Sequence, residues 1–230
     1  MKRCPTLASI VLLLVLSLGC SPFHSEERAA IEHLESLGAA VVLTPEGKAR
    51  EVVLESRPVV DDDMVHLAQL SELEELDLGG TDITDAGLVH LAGLTNLKKL
   101  DIGGGYMKPS KVSDAGLVHL QNLHNLEQLV LSDAQITDAG LVHLKDLKNL
   151  RSLYLFQTQV SDAGLTHLEG LTELQTLRAG RTRITPEGAQ AFQAKMPNLT
   201  KFMEAEPEAA GVPAEPMEGE ADSEGEPQSD

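Results

Sequence analysis

Ile83-Thr84-Asp85-Ala86-Gly87-Leu88-Val89-His90-Leu91 is the stretch that decides how this chain folds, because it comes back. The same phrase returns at Val112–Leu120, Ile136–Leu144 and Val160–Leu168, with decayed copies at Val59–Leu67 and Ile184–Phe192. Its starts, at positions 59, 83, 112, 136, 160 and 184, are 24 residues apart except for one interval of 29. One repeat therefore carries an insertion, which begins at Gly103-Gly104-Gly105. Self-similarity at a fixed period of this length marks an array in which each unit stacks on the one before.

Between these phrases lies a second one, seen as Leu73-Glu74-Glu75-Leu76-Asp77-Leu78 and again at Leu97–Ile102, Leu126–Leu131, Leu150–Leu155 and Leu174–Ala179. Its last four residues alternate with the two-residue period of a strand. The first phrase reads as a helix, with Thr84, Ser113, Thr137, Ser161 and Thr185 at the N-cap. Asp follows in four of the five, where a carboxylate meets the positive end of the helix dipole; Pro186 follows in the fifth, and proline suits a first helical position. A single unit buries too few aliphatic side chains to offset the entropy of ordering its backbone, so stability must come from stacking, and both ends need covers. Ser25–Leu37 reads as an amphipathic helix with Ala30, Ile31, Leu34 and Leu37 on one side and Gly38 as its stop. Val41–Leu43 and Glu51–Leu54, joined through Pro45-Glu46-Gly47, read as a hairpin leading into the first repeat. Together they form the N-terminal cap. Met196–Phe202 starts a seventh strand phrase, so the last repeat closes the other end.

These phrases resemble the leucine-rich-repeat family, in the variant with Leu-x-x-Leu-x-Leu followed by Ile-Thr-Asp-Ala-Gly-Leu. That variant occurs in many bacterial lipoproteins and is similar to the repeats of F-box substrate adaptors. The resemblance covers Val52–Phe202. It implies an α/β fold: a right-handed solenoid, a curved horseshoe segment with a parallel sheet on the concave face and helices on the convex face. The expected division is a signal peptide at 1–19, a lipid-anchor residue with the capping helix and hairpin at 20–51, about six repeats at 52–203, and a disordered acidic tail at 204–230.

The expected leader opens with Lys2 and Arg3, runs uncharged from Leu7 to Leu18, and reaches Ser17-Leu18-Gly19 before Cys20. That is the layout of an export signal. The uncharged run is about twelve residues against the roughly twenty a helix needs to span a bilayer, so a permanent transmembrane anchor is the weaker alternative. Leu16-Ser17-Leu18-Gly19-Cys20 resembles the lipobox of bacterial lipoproteins, which implies lipid on the Cys20 thiol; ordinary signal cleavage is the alternative. Of the two cysteines, Cys4 would leave with the signal, so the fold stands without a disulfide. The expected location is the cell envelope, on the periplasmic or cell-surface side.

Acidic residues outnumber basic ones 36 to 18, a poor match to phosphate backbones, and nucleic acid is not expected as a partner. Ten of those acids lie in Glu204–Asp230, which has no Lys or Arg and contains Pro207, Pro213, Pro216 and Pro227. Such a stretch makes no core and reads as a solvated, self-repelling spacer, or as a binding tail for a basic partner.

No catalytic motif emerges: there is no Gly-x-Ser-x-Gly, no phosphate-binding glycine loop and no His-Glu-x-x-His, and no enzyme, cofactor or small-molecule substrate is expected. His66, His90, His119, His143 and His167 share one position in five consecutive repeats, and stacking makes them a column. Two readings stand. Either neighbouring imidazoles share a metal, or each His fills the same niche and hydrogen-bonds a backbone group. The second is preferred, because zinc sites mix ligands and need supporting partners that one identical His per repeat does not supply.

The strand register predicts three columns on the concave face. The first holds Glu51, Glu75, Lys99, Gln128, Ser152 and Thr176; the second Val53, Asp77, Asp101, Val130, Tyr154 and Arg178; the third Glu55, Gly79, Gly103, Ser132, Phe156 and Gly180. In a chain with only two Tyr and four Phe, Tyr154 and Phe156 then point outward from one strand beside Val130 and Arg178. Exposed aromatics flanked by arginine have the composition of a contact hot spot. The predicted partner-binding patch is Val130, Tyr154, Phe156, Arg178 and Arg181, with Tyr106 and Met107 of the insertion overhanging the same edge. The resulting expectation is an exported, lipid-anchored scaffold that binds a protein or peptide, with an envelope-tethered spacer and a histidine metal site as alternatives.

Overall fold

The computed structural model describes residues 22–105 and 108–203. The leader at 1–19, Cys20, Tyr106, Met107 and the acidic stretch from Glu204 onward lie outside the described residues. Helix α1, Pro22–Ser36, comes first. It ends at Gly38, whose φ of 92° glycine adopts at little cost. Ala30, Ile31 and Leu34 of α1 are buried and Leu37 packs beside them, as the amphipathic pattern requires. Strands β1, Ala40–Leu43, and β2, Ala49–Val53, form the antiparallel hairpin. Glu27, only 5% exposed, ties α1 to that hairpin by accepting from Lys48 Nζ at 2.5 Å and from the Ala49 N–H at 3.3 Å. The hydrogen bond to Glu27 holds the Lys48 ammonium above its ordinary range, against the opposing effect of burial.

From β2 onward each strand lies parallel to the next: β3 Glu75–Asp77, β4 Lys99–Asp101, β5 Gln128–Val130, β6 Ser152–Tyr154, β7 Thr176–Arg178 and β8 Lys201–Met203. All eight stand in sequence order in one sheet. Leu76, Leu100, Leu129, Leu153 and Leu177, at the centre of β3 to β7, stack as one buried column, and Leu88, Leu117, Leu141 and Leu165 from the opposite wall meet them. Burying leucine on leucine between rungs is the main stabilising term, which no rung could supply alone. Phe192, Met196 and Phe202 cover the far end, the two rings meeting edge to face at 6.5 Å.

The helical phrases are shorter than the word helix suggests. Helices α3 Asp85–Leu88, α4 Asp114–Leu117, α5 Asp138–Leu141 and α6 Asp162–Leu165 are four residues each, and each passes at once into a 3-10 turn. Before them, α2, Met64–Leu67, follows a 3-10 turn at Asp61–Asp63; after them, α7, Pro186–Lys195, runs for ten residues. A 24-residue rung must also hold a strand and two reversals, which leaves room for little more than two turns. The caps are those expected: Thr84, Ser113, Thr137 and Ser161 accept the N–H two residues on, and Thr185 accepts that of Gly188.

The aspartate after each cap reaches across to the next rung, a role that dipole compensation alone does not describe. Asp85 accepts the Ser113 N–H at 2.7 Å and the Ser113 hydroxyl at 2.5 Å. Asp114 holds Thr137 at 2.8 and 2.6 Å, Asp138 holds Ser161 at 2.7 and 2.6 Å, and Asp162 holds Thr185 at 2.8 and 2.7 Å. Asp61 begins the series on Thr84, at 2.7 and 2.6 Å. Glycine three residues after each held cap makes the space: a Cβ on Gly87 would lie 2.6 Å from Asp61 Oδ1, and one on Gly116 only 2.5 Å from Asp85 Oδ1. Pro186 stands at the top of this ladder, where the described chain offers no further Ser or Thr cap to hold. A second ladder runs beside it, in which Asn96, Asn125, Asn149 and Asn198 donate to carbonyls of the preceding rung.

Candidate functional site

Strand pairing aligns Glu51, Glu75, Lys99, Gln128, Ser152, Thr176 and Lys201 in one row of the outer sheet face, and Val53, Asp77, Asp101, Val130, Tyr154, Arg178 and Met203 in the next. Beyond the strands the backbone ladder continues: Gly80 N–H donates to Gly103, Gly104 to Ser132, Asp133 to Phe156 and Gln157 to Gly180. Phe156 thus follows Tyr154 on the same face. Val130, Tyr154 and Phe156 are half-buried, and Arg178 and Arg181 are exposed.

The two arginines lie on the two rings. Arg178 Cζ stands 5.4 Å from the Tyr154 ring centre and Arg181 Cζ stands 5.4 Å from that of Phe156. This is the cation–π arrangement, which holds a guanidinium in place while leaving its N–H groups free to donate. Arg181 also occupies the left-handed backbone region, with φ of 56°, at the position Gly80 fills four strands earlier. Its Nη1 donates to Gln157 Oε1 at 3.4 Å. Among the described residues, Arg178, Arg181 and Lys201 have no carboxylate within ion-pair distance, whereas Lys98, Lys99, Lys108, Lys111 and Lys195 each do.

The opposite end of the face is acidic. Burial pushes the Asp101 carboxyl up to about 6, with Asp77 and Glu55 adding to the shift and the Gly103 N–H, 2.9 Å away, opposing it. Asp77 likewise accepts the Gly79 N–H at 2.9 Å. Between the two ends the insertion folds back, pairing Gly105 with Lys108. Gly80 and Gly105 approach so closely that a Cβ on Gly80 would lie 2.8 Å from the Gly105 Cα. Asp82 anchors the insertion through Lys108 at 2.8 Å and Lys111 at 2.7 Å, bonds that hold its carboxyl at about 2. Tyr106 and Met107, placed at this edge by the sequence, lie outside the described residues.

The histidine column is on the other side of the molecule. Its members are half-buried. Among the described residues no side-chain hydrogen bond joins these rings to a backbone group, so the predicted bonding of that niche is corrected: His66 stands on α2 and the other four within the 3-10 turns. Among those residues no group of three or more His, Cys, Asp or Glu side chains is arranged to hold a metal ion. His66 alone differs. It stacks on His33 of α1 with centroids 3.9 Å apart, and His33 Nε2 lies 3.0 Å from Asp63 Oδ1. Burial, helped by the adjacent His33 and opposed by Asp63, holds the His66 imidazole below its ordinary range. Burial raises the Asp63 carboxyl, yet the Val60 N–H and His33 together bring it below the usual carboxylate range. This cluster seats the cap helix on the first rung.

The model of the family described as Leucine Rich repeat matches residues 70–92 and 122–145. Both segments run through the strand and the capped turn of a rung. The fold is a leucine-rich-repeat solenoid. Internalin C2 of Listeria monocytogenes is 27% identical over 66% of this chain and 69% of its own, with a TM-score of 0.49. An internalin (inlF) of the same organism is 20% identical over 82% of this chain, with a TM-score of 0.51, and the solenoid spans 59% of that chain. The latter likeness is one of fold. No curated protein matches the chain significantly. Solenoids of this kind are typically scaffolds for protein–protein contact.

All five residues of the predicted patch fall on or beside β5 to β7 of the solenoid, and the structure brings them together. The pairing of each arginine with a particular ring was not predicted. Its signal was present for one pair, since Tyr154 and Arg178 are one period of 24 apart, whereas the period sets Arg181 opposite Gln157, next to Phe156. The aspartate ladder was missed for a similar reason. An acid retained on every rung and absent only at Pro186 signals a contact between rungs.

Proposed function

We propose that the protein is a non-enzymatic binding scaffold that presents the β5–β7 end of its outer sheet face to a protein or peptide partner. Export through residues 1–19 and lipid on Cys20 tether it to the cell envelope. The observation that carries this reading is the pair of stacked cations, Arg178 on Tyr154 and Arg181 on Phe156, held on an exposed face with no carboxylate partner among the described residues. Aromatic and arginine side chains fixed in this way give contact area at low entropic cost and donors aimed outward. Val130 supplies an apolar floor beside Tyr154. The acidic end at Asp77 and Asp101 disfavours any polyphosphate ligand along the same face.

The test is capture from envelope extract by the unaltered protein and by the Tyr154→Ala, Phe156→Ala double variant, with matched folding confirmed by circular dichroism. A partner retained by the first and lost by the second supports the reading. Equal capture by both, or none by either, sinks it and favours a tethered spacer. Radiolabelled palmitate incorporated by the native chain and not by Cys20→Ser checks the anchor.

A further inference from the structure

We propose that the cationic end of this face has an occupant within the same chain, the acidic segment Glu204–Asp230, whose carboxylates sit on Arg178, Arg181 and Lys201 until a partner displaces them. The proposal rests on the reading of this face as the binding surface. It starts from an imbalance. In a chain with twice as many acids as bases, three exposed cations stand together without an ion pair among the described residues, while most other lysines have one. Two of the three are held over aromatic rings, so their donors are already ordered for a carboxylate.

The chain itself brings acid to this place. Met203 is in register with Arg178, and Glu204 is the next residue of the chain. Ten acids and no cation follow within the next 27 residues. An attached segment of this length acts at an effective concentration on the order of millimolar, which gives individually weak contacts useful occupancy. Asp77, Asp101 and Glu55 repel the same segment from the other end and confine it to β6–β8. Four prolines, beginning with Pro207, have no N–H to donate to a sheet ladder, which favours contact through the acidic side chains over the addition of a ninth strand.

The test is a titration of the full chain with a ten-residue polyglutamate peptide, followed through the side-chain Nε–H resonances of Arg178 and Arg181 and the backbone amide of Gly180. Native protein is compared with a chain in which the ten acids of 204–230 become Gln or Asn. These changes lie outside the described fold and leave its packing untouched. Neutralisation is expected to tighten peptide binding about tenfold at low salt, the gain from removing a tethered competitor. The gain should vanish near 0.5 M salt, where screening falls to about 4 Å, and in the Arg178→Gln, Arg181→Gln background. Equal affinity in native and neutralised chains overturns the proposal, as does absence of peptide binding by both. A gain that survives both arginine substitutions places the segment elsewhere, and one that grows with protein concentration assigns it to a second molecule; either also overturns it. Partner capture through Tyr154 and Phe156 combined with equal peptide affinity would remove the tail occupant and leave the binding face standing.

Discussion

The two sides of a rung obey opposite rules. On the helical side Thr or Ser, Asp, Ala, Gly and Leu recur, and five aspartates hold the next cap at nearly identical distances. On the sheet side the middle row reads Val53, Asp77, Asp101, Val130, Tyr154, Arg178, with no such sameness. The helical side meets another copy of itself, so a residue that fits once must fit every time. The outer sheet face meets nothing in the chain's described core, and each rung is free to differ. Sameness in this molecule therefore reports packing, and difference reports what the surface can be used for.

The strongest way to break that comparison is Asp114→Ala. It removes two charge-assisted hydrogen bonds and leaves the Thr137 N–H without its acceptor, so a loss of about 3 kcal/mol in urea unfolding is expected. A loss below about 1 kcal/mol would show that the ladder is incidental. Gly140→Ala should cost about 2 kcal/mol, because the new methyl meets the Asp114 carboxylate. Much of that cost should disappear when Asp114 is already alanine, and strictly additive losses would contradict the steric account.

On the sheet side the expected signs reverse. Asp101 has its folded carboxyl raised to about 6 from 3.8, so its charged form is disfavoured in the folded state. The penalty is absent below about pH 4, grows as pH rises through 6 and is complete above it. Asp101→Asn keeps an acceptor for the Gly103 N–H and should stabilise the protein by about 1 to 2 kcal/mol at pH 7.5, with no gain at pH 4. A gain of equal size at both pH values would assign the effect to something other than charge. The smallest effect is expected from Arg181→Gly, which relieves a left-handed backbone and should add up to about 1 kcal/mol while weakening partner capture. Stabilisation with undiminished capture would take Arg181 out of the contact patch.

Much of the architecture was legible in the residues because it depends on period alone. The leucine column, the insertion after Asp101, the antiparallel hairpin of the cap and the three rows of the face all follow from counting in steps of two and 24. What counting within one rung does not supply is the contact between rungs away from the strands. Asp85 reads as a dipole partner of its own helix until Ser113 is known to lie beside it. Arg178 reads as a neighbour of Tyr154, without a sign that it lies on the ring. The histidines read as backbone donors, since a half-buried imidazole normally has a partner; beside a 3-10 turn the described residues supply none. The charge of Asp101 depends on how deeply the Gly103 turn buries it, which alternation does not encode.

The aspartate ladder also gives each rung a direction. A rung offers one acceptor forward and one pair of donors backward, so it behaves like a head-to-tail monomer with unlike ends. Copying any interior 24 residues would add a link without disturbing either terminus, and would lengthen the face by about 4.8 Å per copy. The antiparallel hairpin at one end and Pro186 at the other are then chain stoppers, each presenting a link the repeat cannot join.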